Sequence, residues 1–303
     1  MPACSPSTYA LLAGPDAGWG SGGVLAAWLA SGILLAGFVL LQRHRGEHAL
    51  IDLRLFRIPS FTASMALSFC ARVTTLGLMP FLVLWLQGIL GSDPTEAGLQ
   101  LLPMTVLIML AASVSGTLQK RLPSNAVIAL GFVLIGAGAV ALLLAQPGGS
   151  WLAALPALAL FGLGAGLSFP PLLGTAVSVV PPHRSGMASG MANTFFPLGT
   201  AGGVAAFGAL LSARIHADLP ATRLAELGVN PARAAEVYQA IDAGQFDRLA
   251  ELAPPAARAG LTSAAHSAFM SGLSTLALAI AGVSFVAVLV AWRAIRAQDR
   301  YDR

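Results

Sequence analysis

Charge is what this sequence of 303 residues has least of. Asp, Glu, Lys and Arg together supply 10% of it, where a soluble domain carries about a quarter. From Leu122 to Pro182, 61 consecutive residues, there is none at all. No water-facing surface can be built from such a run, so a soluble globular fold is excluded. Cysteine is nearly absent: Cys4 and Cys70 are far apart and Cys70 lies in an apolar run, which excludes a disulfide framework and a thiolate metal site. Glycine groups such as Gly162–Gly164–Gly166 and Gly131–Gly136–Gly138 follow no strand-to-phosphate turn, so no nucleotide or other cofactor is expected. The net charge of +4 and pI near 9.7 come from basic residues scattered over short loops. Without a basic helix face or recognition motif, nucleic acid is not an expected partner. The first fifteen residues have neither a basic n-region nor an apolar h-region, and are not read as a cleaved signal peptide.

What is present is apolar: 56% hydrophobic residues and a mean hydropathy of +0.76. The expected fold is an all-α integral membrane protein with seven transmembrane helices. Residues 1–23 form an extracellular segment, 24–41 a first span, and 42–60 a polar, basic cytoplasmic connection. A six-helix unit then occupies 61–292, with spans at 61–90, 99–118, 126–145, 151–180, 188–211 and 265–292. Pro80 is expected to kink the first of these, and Pro170–Pro171 to interrupt the fourth. Residues 212–263 carry five arginines and six acids, too polar to cross, and are read as a long extracellular loop of short amphipathic helices. Residues 293–303 form the tail. Seven spans place Arg43, Arg45, Arg54, Arg57, Lys120, Arg121, Arg184, Arg293, Arg296, Arg300 and Arg303 on one side. The opposite short loops have no lysine or arginine, so the basic side is cytoplasmic, with the N-terminus outside and the C-terminus inside.

All thirteen acids fall outside the expected spans, which leaves no carboxylate at depth to carry a proton. Arg72 is the one charge inside a span, about 18 Å along its helix from Ser60 at 1.5 Å per residue. Burying it costs at least ~2.5 kcal/mol, so it should face a wet cavity or a partner; the bland alternative is a bond to helix-end carbonyls. Asn193 is the only uncharged polar group deep enough to line a path, and interhelical bonding is its alternative. Gln87 and Gln100 flank an external turn and are read as interface-solvated; His266, at the start of the last span, is read as a satisfied interfacial histidine rather than a proton relay. Phe161, Phe169, Phe195 and Phe196 with Met104, Met109 and Met187 suit either an adaptable greasy pocket or plain packing, and packing is the commoner role. In Pro181–Gly208, small residues recur every four positions, Gly186 with Gly190 and Gly199 with Gly203, the spacing that lets helix backbones meet in lipid.

The order of these pieces resembles the major facilitator superfamily, in particular the C-terminal half of the fourteen-span EmrB/QacA-type drug:proton antiporters. AGPDAGWGS (13–21) is similar to the connection before that family's eighth span, and IDLRLFR (51–57) to the link into the ninth. LWLQGILGSDPTEAGLQLLP (84–103) resembles its most specific signature, and GTLQKRLPSN (116–125) a decayed form of the loop "G.l.dr.G.r". PPHRSGMASGMANTFFPLGTAGGVAAFG resembles "vp…aG.asg..n..rq.G…Gva..G". Lys120 stands where that gating loop has an acid, beside Arg121, and Phe196 and Pro197 stand where the family carries arginine and glutamine. The resemblance implies two six-helix halves rocking about a midplane site. It also implies that 61–90, 99–118, 151–180 and 188–211 line the cavity, which places Arg72, Phe169, Asn193 and Phe196 on the substrate path.

The reading that follows is a partial or half-size exporter of small hydrophobic or amphiphilic compounds, multi-pass in a bacterial plasma membrane. It would be proton-coupled only with an N-terminal half, from another chain or a homodimer partner. A chain starting inside an inter-helix connection is read as favouring a truncated gene over a true half-transporter, and a non-transporting fragment is one alternative. The other is a rhomboid-like intramembrane protease, with Ser189 of MASG (187–190) as nucleophile and His266 as base. A retinal receptor fails, because the only lysine is Lys120 in a loop.

Overall fold

The computed structural model describes residues 21–45, 53–144, 149–255 and 257–295. The motif at 13–21 except Ser21, residues 46–52 of the 42–60 connection and the tail from 296 onward lie outside them. The described residues are helical with no strand, and divide into two units. The first holds α1 (Gly22–Arg45), where the first span is expected, and a 3-10 turn, Leu53–Arg57. The 24 residues of α1 reach about 36 Å, enough to cross a hydrocarbon core of ~30 Å.

The second unit begins at Ile58, and its described residues contain six helical segments long and apolar enough to span a bilayer. The first is built in pieces: α2 (Pro59–Thr75), a turn at Leu76–Leu78, α3 (Met79–Leu84) and one π-helical turn, Trp85–Ile89. Pro80 explains the break, since it lacks an N–H and its ring crowds the Leu76 carbonyl. That carbonyl accepts from Met79 at 3.3 Å instead, while the Arg72 carbonyl takes both Leu76 and Gly77 N–H, at 3.0 and 2.9 Å. The others are α4 (Pro94–Leu118), α5 (Ser124–Leu142), α6 (Leu155–Ser178), entered through a 3-10 turn at Trp151–Ala154, α7 (Ser185–Asp218), and a last, longer helix, Arg258–Ala294.

Three sequence expectations need correction. The span at 99–118 starts five residues early, because Asp93 caps the helix, its Oδ1 accepting from Glu96 N–H at 2.8 Å. Gln100 is consequently buried, donating to Ser92 Oγ at 3.0 Å and Glu96 Oε1 at 3.1 Å, rather than solvated. Pro170–Pro171 does not interrupt α6. Pro171 removes the N–H that the Leu167 carbonyl would accept, and Ser115 Oγ from α4 donates to that carbonyl at 3.2 Å, so the helix runs on.

The third concerns the long loop. Helix α7 continues to Asp218 and the last helix begins at Arg258, so the connection is 219–257 rather than 212–263. At 34 residues, about 51 Å, α7 outruns the hydrocarbon, and its final turns are held by an Arg214–Asp218 ion pair at 3.3 Å and by buried Leu211 and Ile215. Hydropathy marks where a helix leaves lipid, which is not where it stops. The connection forms α8 (Ala221–Glu226), α9 (Ala234–Asp242) and α10 (Phe246–Leu252), followed by the last helix, α11 (Arg258–Ala294). It is docked, with Leu224, Val237, Ile241, Phe246 and Leu249 buried.

Helix α6 is central, packing on α5, α4, α2 and α7, while α2 packs on α7 and α11. Close approach rests on glycine: a Cβ at Gly162 would meet the Met104 carbonyl at 2.5 Å, and one at Gly164 the Gly131 carbonyl at 2.5 Å. By contrast α4 turns Leu99, Leu102, Met109 and Val114 outward, a surface that suits lipid or another apolar partner.

Candidate functional site

The helices α2 and α7 cross at three glycines. A Cβ at Gly199 would lie 2.8 Å from the Phe69 carbonyl and 2.9 Å from Arg72 Cβ; one at Gly203 would lie 2.9 Å from Val73 Cα and 3.0 Å from Gly77 Cα. Both are buried, and α7 therefore sits directly on the stem of Arg72. Gly186 and Gly190 have open space where a Cβ would go, so within this chain the four-residue spacing makes a contact only in the second pair.

From that crossing the Arg72 guanidinium reaches two rings on two other helices. Its Cζ lies 4.1 Å from the centroid of Phe169 on α6 and 4.3 Å from that of Phe196 on α7. Phe196 precedes Gly199 by three residues and so shares its face of α7. Arg72, Phe169 and Phe196 are all half-buried. Among the described residues no side chain or backbone group bonds the guanidinium, and its Nε is buried without a partner. The helix-end carbonyls weighed as an alternative are thus not used. Two cation–π contacts, each about 0.5–2 kcal/mol, are of the same order as the ~2.5–3.5 kcal/mol cost of an arginine at depth. They steady the cation without neutralising it or occupying its N–H groups. The arrangement can therefore hold a hydrogen-bond acceptor or an anion inside an apolar surround.

Asn193 is exposed, one turn before Phe196 on α7, and Pro197 removes the N–H that its carbonyl would accept in a regular helix. Lys120 and Arg121 are exposed in the turn after α4, with no ion pair among the described residues. The aromatic and methionine set divides: Phe161 and Met104 are core, Met109 is 67% exposed, and Phe195 and Met187 are half-buried. His266 of α11 meets Phe246 of the docked connection edge to face, ring centroids 4.7 Å apart, but its Nε2 is buried without a hydrogen-bond partner among the described residues, so it is not the satisfied histidine expected. Ser212, at the same end of α7, donates to Asp242 at 2.8 Å. Ser189 is roughly 34 Å back along α7 from Ser212 at 1.5 Å per residue, so it and His266 stand at opposite ends of the bundle and form no nucleophile–base pair. The ring partners of Arg72 leave no periodic signal in sequence, since they come from helices about 100 and 120 residues downstream.

A family profile described as the Major Facilitator Superfamily matches residues 4–204. Curated relatives include the multidrug efflux pump LfrA of Mycolicibacterium smegmatis, 29% identical over 273 residues, which are 89% of this chain and 53% of that protein. The tetracenomycin C resistance and export protein of Streptomyces glaucescens is 30% identical over 293 residues, 93% of this chain and 53% of that one. The drug efflux pump JefA of Mycobacterium tuberculosis is 30% identical over 301 residues, 96% and 58%. The chain thus spans about half the length of the curated relatives it matches. Among solved structures, a bacterial homolog of the human lysosomal transporter Spinster, inward-facing and occupied, aligns with a TM-score of 0.63 at 15% identity. It covers 98% of this chain and 65% of that one, a likeness of fold.

Proposed function

The chain belongs to the Major Facilitator Superfamily, a family of membrane transporters rather than enzymes, and on that premise we propose that it exports small hydrophobic or amphiphilic compounds by alternating access. The observation that carries this reading is that relatives matching 89–96% of the chain are each named for drug efflux or antibiotic export. Within it, the six-helix unit from Ile58 is the C-terminal half of an EmrB/QacA-type transporter, and α1 is the extra span before it. A complementary six-helix half completes the transporter and faces the exposed Asn193 of α7. Arg72, Phe169, Phe196 and Asn193 line the substrate path, and Lys120 and Arg121 sit in the cytoplasmic gating turn. The N-terminus is outside and the C-terminus inside, in a bacterial plasma membrane. Protons drive the cycle through a carboxylate of the complementary half, because α2 to α7 carry none at depth.

The test is accumulation. In a bacterium stripped of its own exporters, the intact protein should lower the steady-state content of at least one member of a panel of dyes and antibiotics, and a protonophore should restore it. Unchanged accumulation across the panel, with membrane insertion verified, would overturn the reading.

A further inference from the structure

The Arg72 site has a polarity that the export reading leaves unspecified. Its guanidinium is a cation that makes no hydrogen bond among the described residues, its Nε buried without a partner, and the aromatic faces beside it carry no charge. The acids of the described residues cannot answer it. Asp93 and Glu96 are exposed at the start of α4, Asp218 ends α7, and the rest belong to the connection 219–257. A positive charge in a low-dielectric surround repels a lipophilic cation and attracts an anion far more strongly than it would in water. The planar fork of arginine also matches a carboxylate in two parallel hydrogen bonds.

We infer that this site selects anionic substrates: flat, largely apolar molecules bearing a carboxylate, phenolate or enolate, the anion on the Arg72 N–H groups and the body along Phe169 and Phe196. The inference rests on the export reading for its setting, but it concerns which charge the site accepts. The two rings do double duty. They steady the guanidinium when the site is empty, and they offer half-buried apolar surface to a planar body when it is filled. Gly199 sets the geometry, because only a residue without a Cβ lets α7 bring Phe196 down beside the Arg72 stem.

Two dyes of one xanthene body and opposite charge make the test: anionic fluorescein and cationic rhodamine 6G. With the intact protein in nanodiscs, fluorescence polarisation should show fluorescein binding at least about tenfold tighter, a difference of about 1.4 kcal/mol. Arg72→Gln should abolish that preference by weakening fluorescein about tenfold while moving rhodamine 6G less than about threefold. Arg72→Lys, which keeps the charge and loses the fork, should retain part of it. Equal or tighter binding of rhodamine 6G by the unaltered protein overturns the inference, whatever the variants do. So does an Arg72→Gln protein of unaltered melting temperature that weakens both dyes alike, since that assigns Arg72 to an ion pair with the complementary half. Export is read separately in cells: anion-selective binding without export of either dye would sink the transport reading and leave the selectivity standing.

Discussion

Arg72 and Arg214 are the same side chain in two settings. Arg214, near the C-terminal end of α7, is exposed, pairs with Asp218 one turn on at 3.3 Å and donates from Nε to Ser271 Oγ at 3.1 Å. Water and neighbours answer its charge, and such a pair contributes about 0–1 kcal/mol. Arg72, in the last turn of α2 and near the middle of the 59–89 span, is answered among the described residues by two aromatic rings and by no acid. Where the bilayer ends, a cation is ordinary architecture. Where it does not, a cation kept without a counter-charge points to something that arrives from outside the chain.

The sharpest way to break that contrast is to remove each arginine. Arg72→Ala should reduce export by the intact transporter tenfold or more, with insertion unchanged, whereas Arg214→Ala should leave export within about twofold and cost ~0–1 kcal/mol of stability. Dye efflux and melting in detergent separate the two outcomes, and unaltered efflux in Arg72→Ala would erase the distinction. Next in size is the crossing that holds the site. Gly199→Ala should destabilise by about 1–3 kcal/mol through overpacking on Phe69 and Arg72, while Gly190→Ala, facing open space, should stay within ~0.5 kcal/mol. Equal melting shifts for the pair would mean that the α2–α7 contact is not made in the membrane.

A smaller effect is expected at Ser115. Alanine there leaves the Leu167 carbonyl without a donor, at a cost of about 0.6–1.7 kcal/mol measured by unfolding in detergent. The smallest is a pH dependence in the 219–257 connection. Burial pushes the Asp242 carboxyl above its ordinary value of 3.8, opposed by the Ser212 hydrogen bond and by His216, which stacks on Tyr238. A raised carboxyl favours the protonated form, so its contribution is fully present below pH 3.8 and is lost as pH rises through the folded value. Proteolysis of the 219–257 connection should therefore quicken as pH rises across that interval, and Asp242→Asn should flatten the profile. An identical profile in the variant would remove Asp242 from the account.

The spans were readable because lipid imposes one demand on every residue of a helix, and a charge-free run meets it regardless of what packs where. Arg72 was readable for the converse reason, as the one violation. The break before Pro80 follows from a missing N–H. The start of α4 was readable in principle from the Asp-Pro-x-Glu cap, a signal that hydropathy overlooks. The continuation of α6 past Pro171 was not, since it depends on a hydroxyl 52 positions away. Nor was the extent of α7, whose last turns are charged outside the membrane and yet helical because they pair and pack.

By itself, then, the sequence determined an all-helical membrane protein, the approximate place of each span, and a single cation at depth. These are consequences of solvation, which each residue meets locally. Tertiary structure alone decided that Gly199 and Gly203, not Gly186 and Gly190, meet a neighbouring helix. It also decided that Phe169 and Phe196 close on Arg72, and that Ser189 and His266 lie apart. Those outcomes depend on which faces cross and at what height, and crossing is a property of pairs of helices that no single stretch contains.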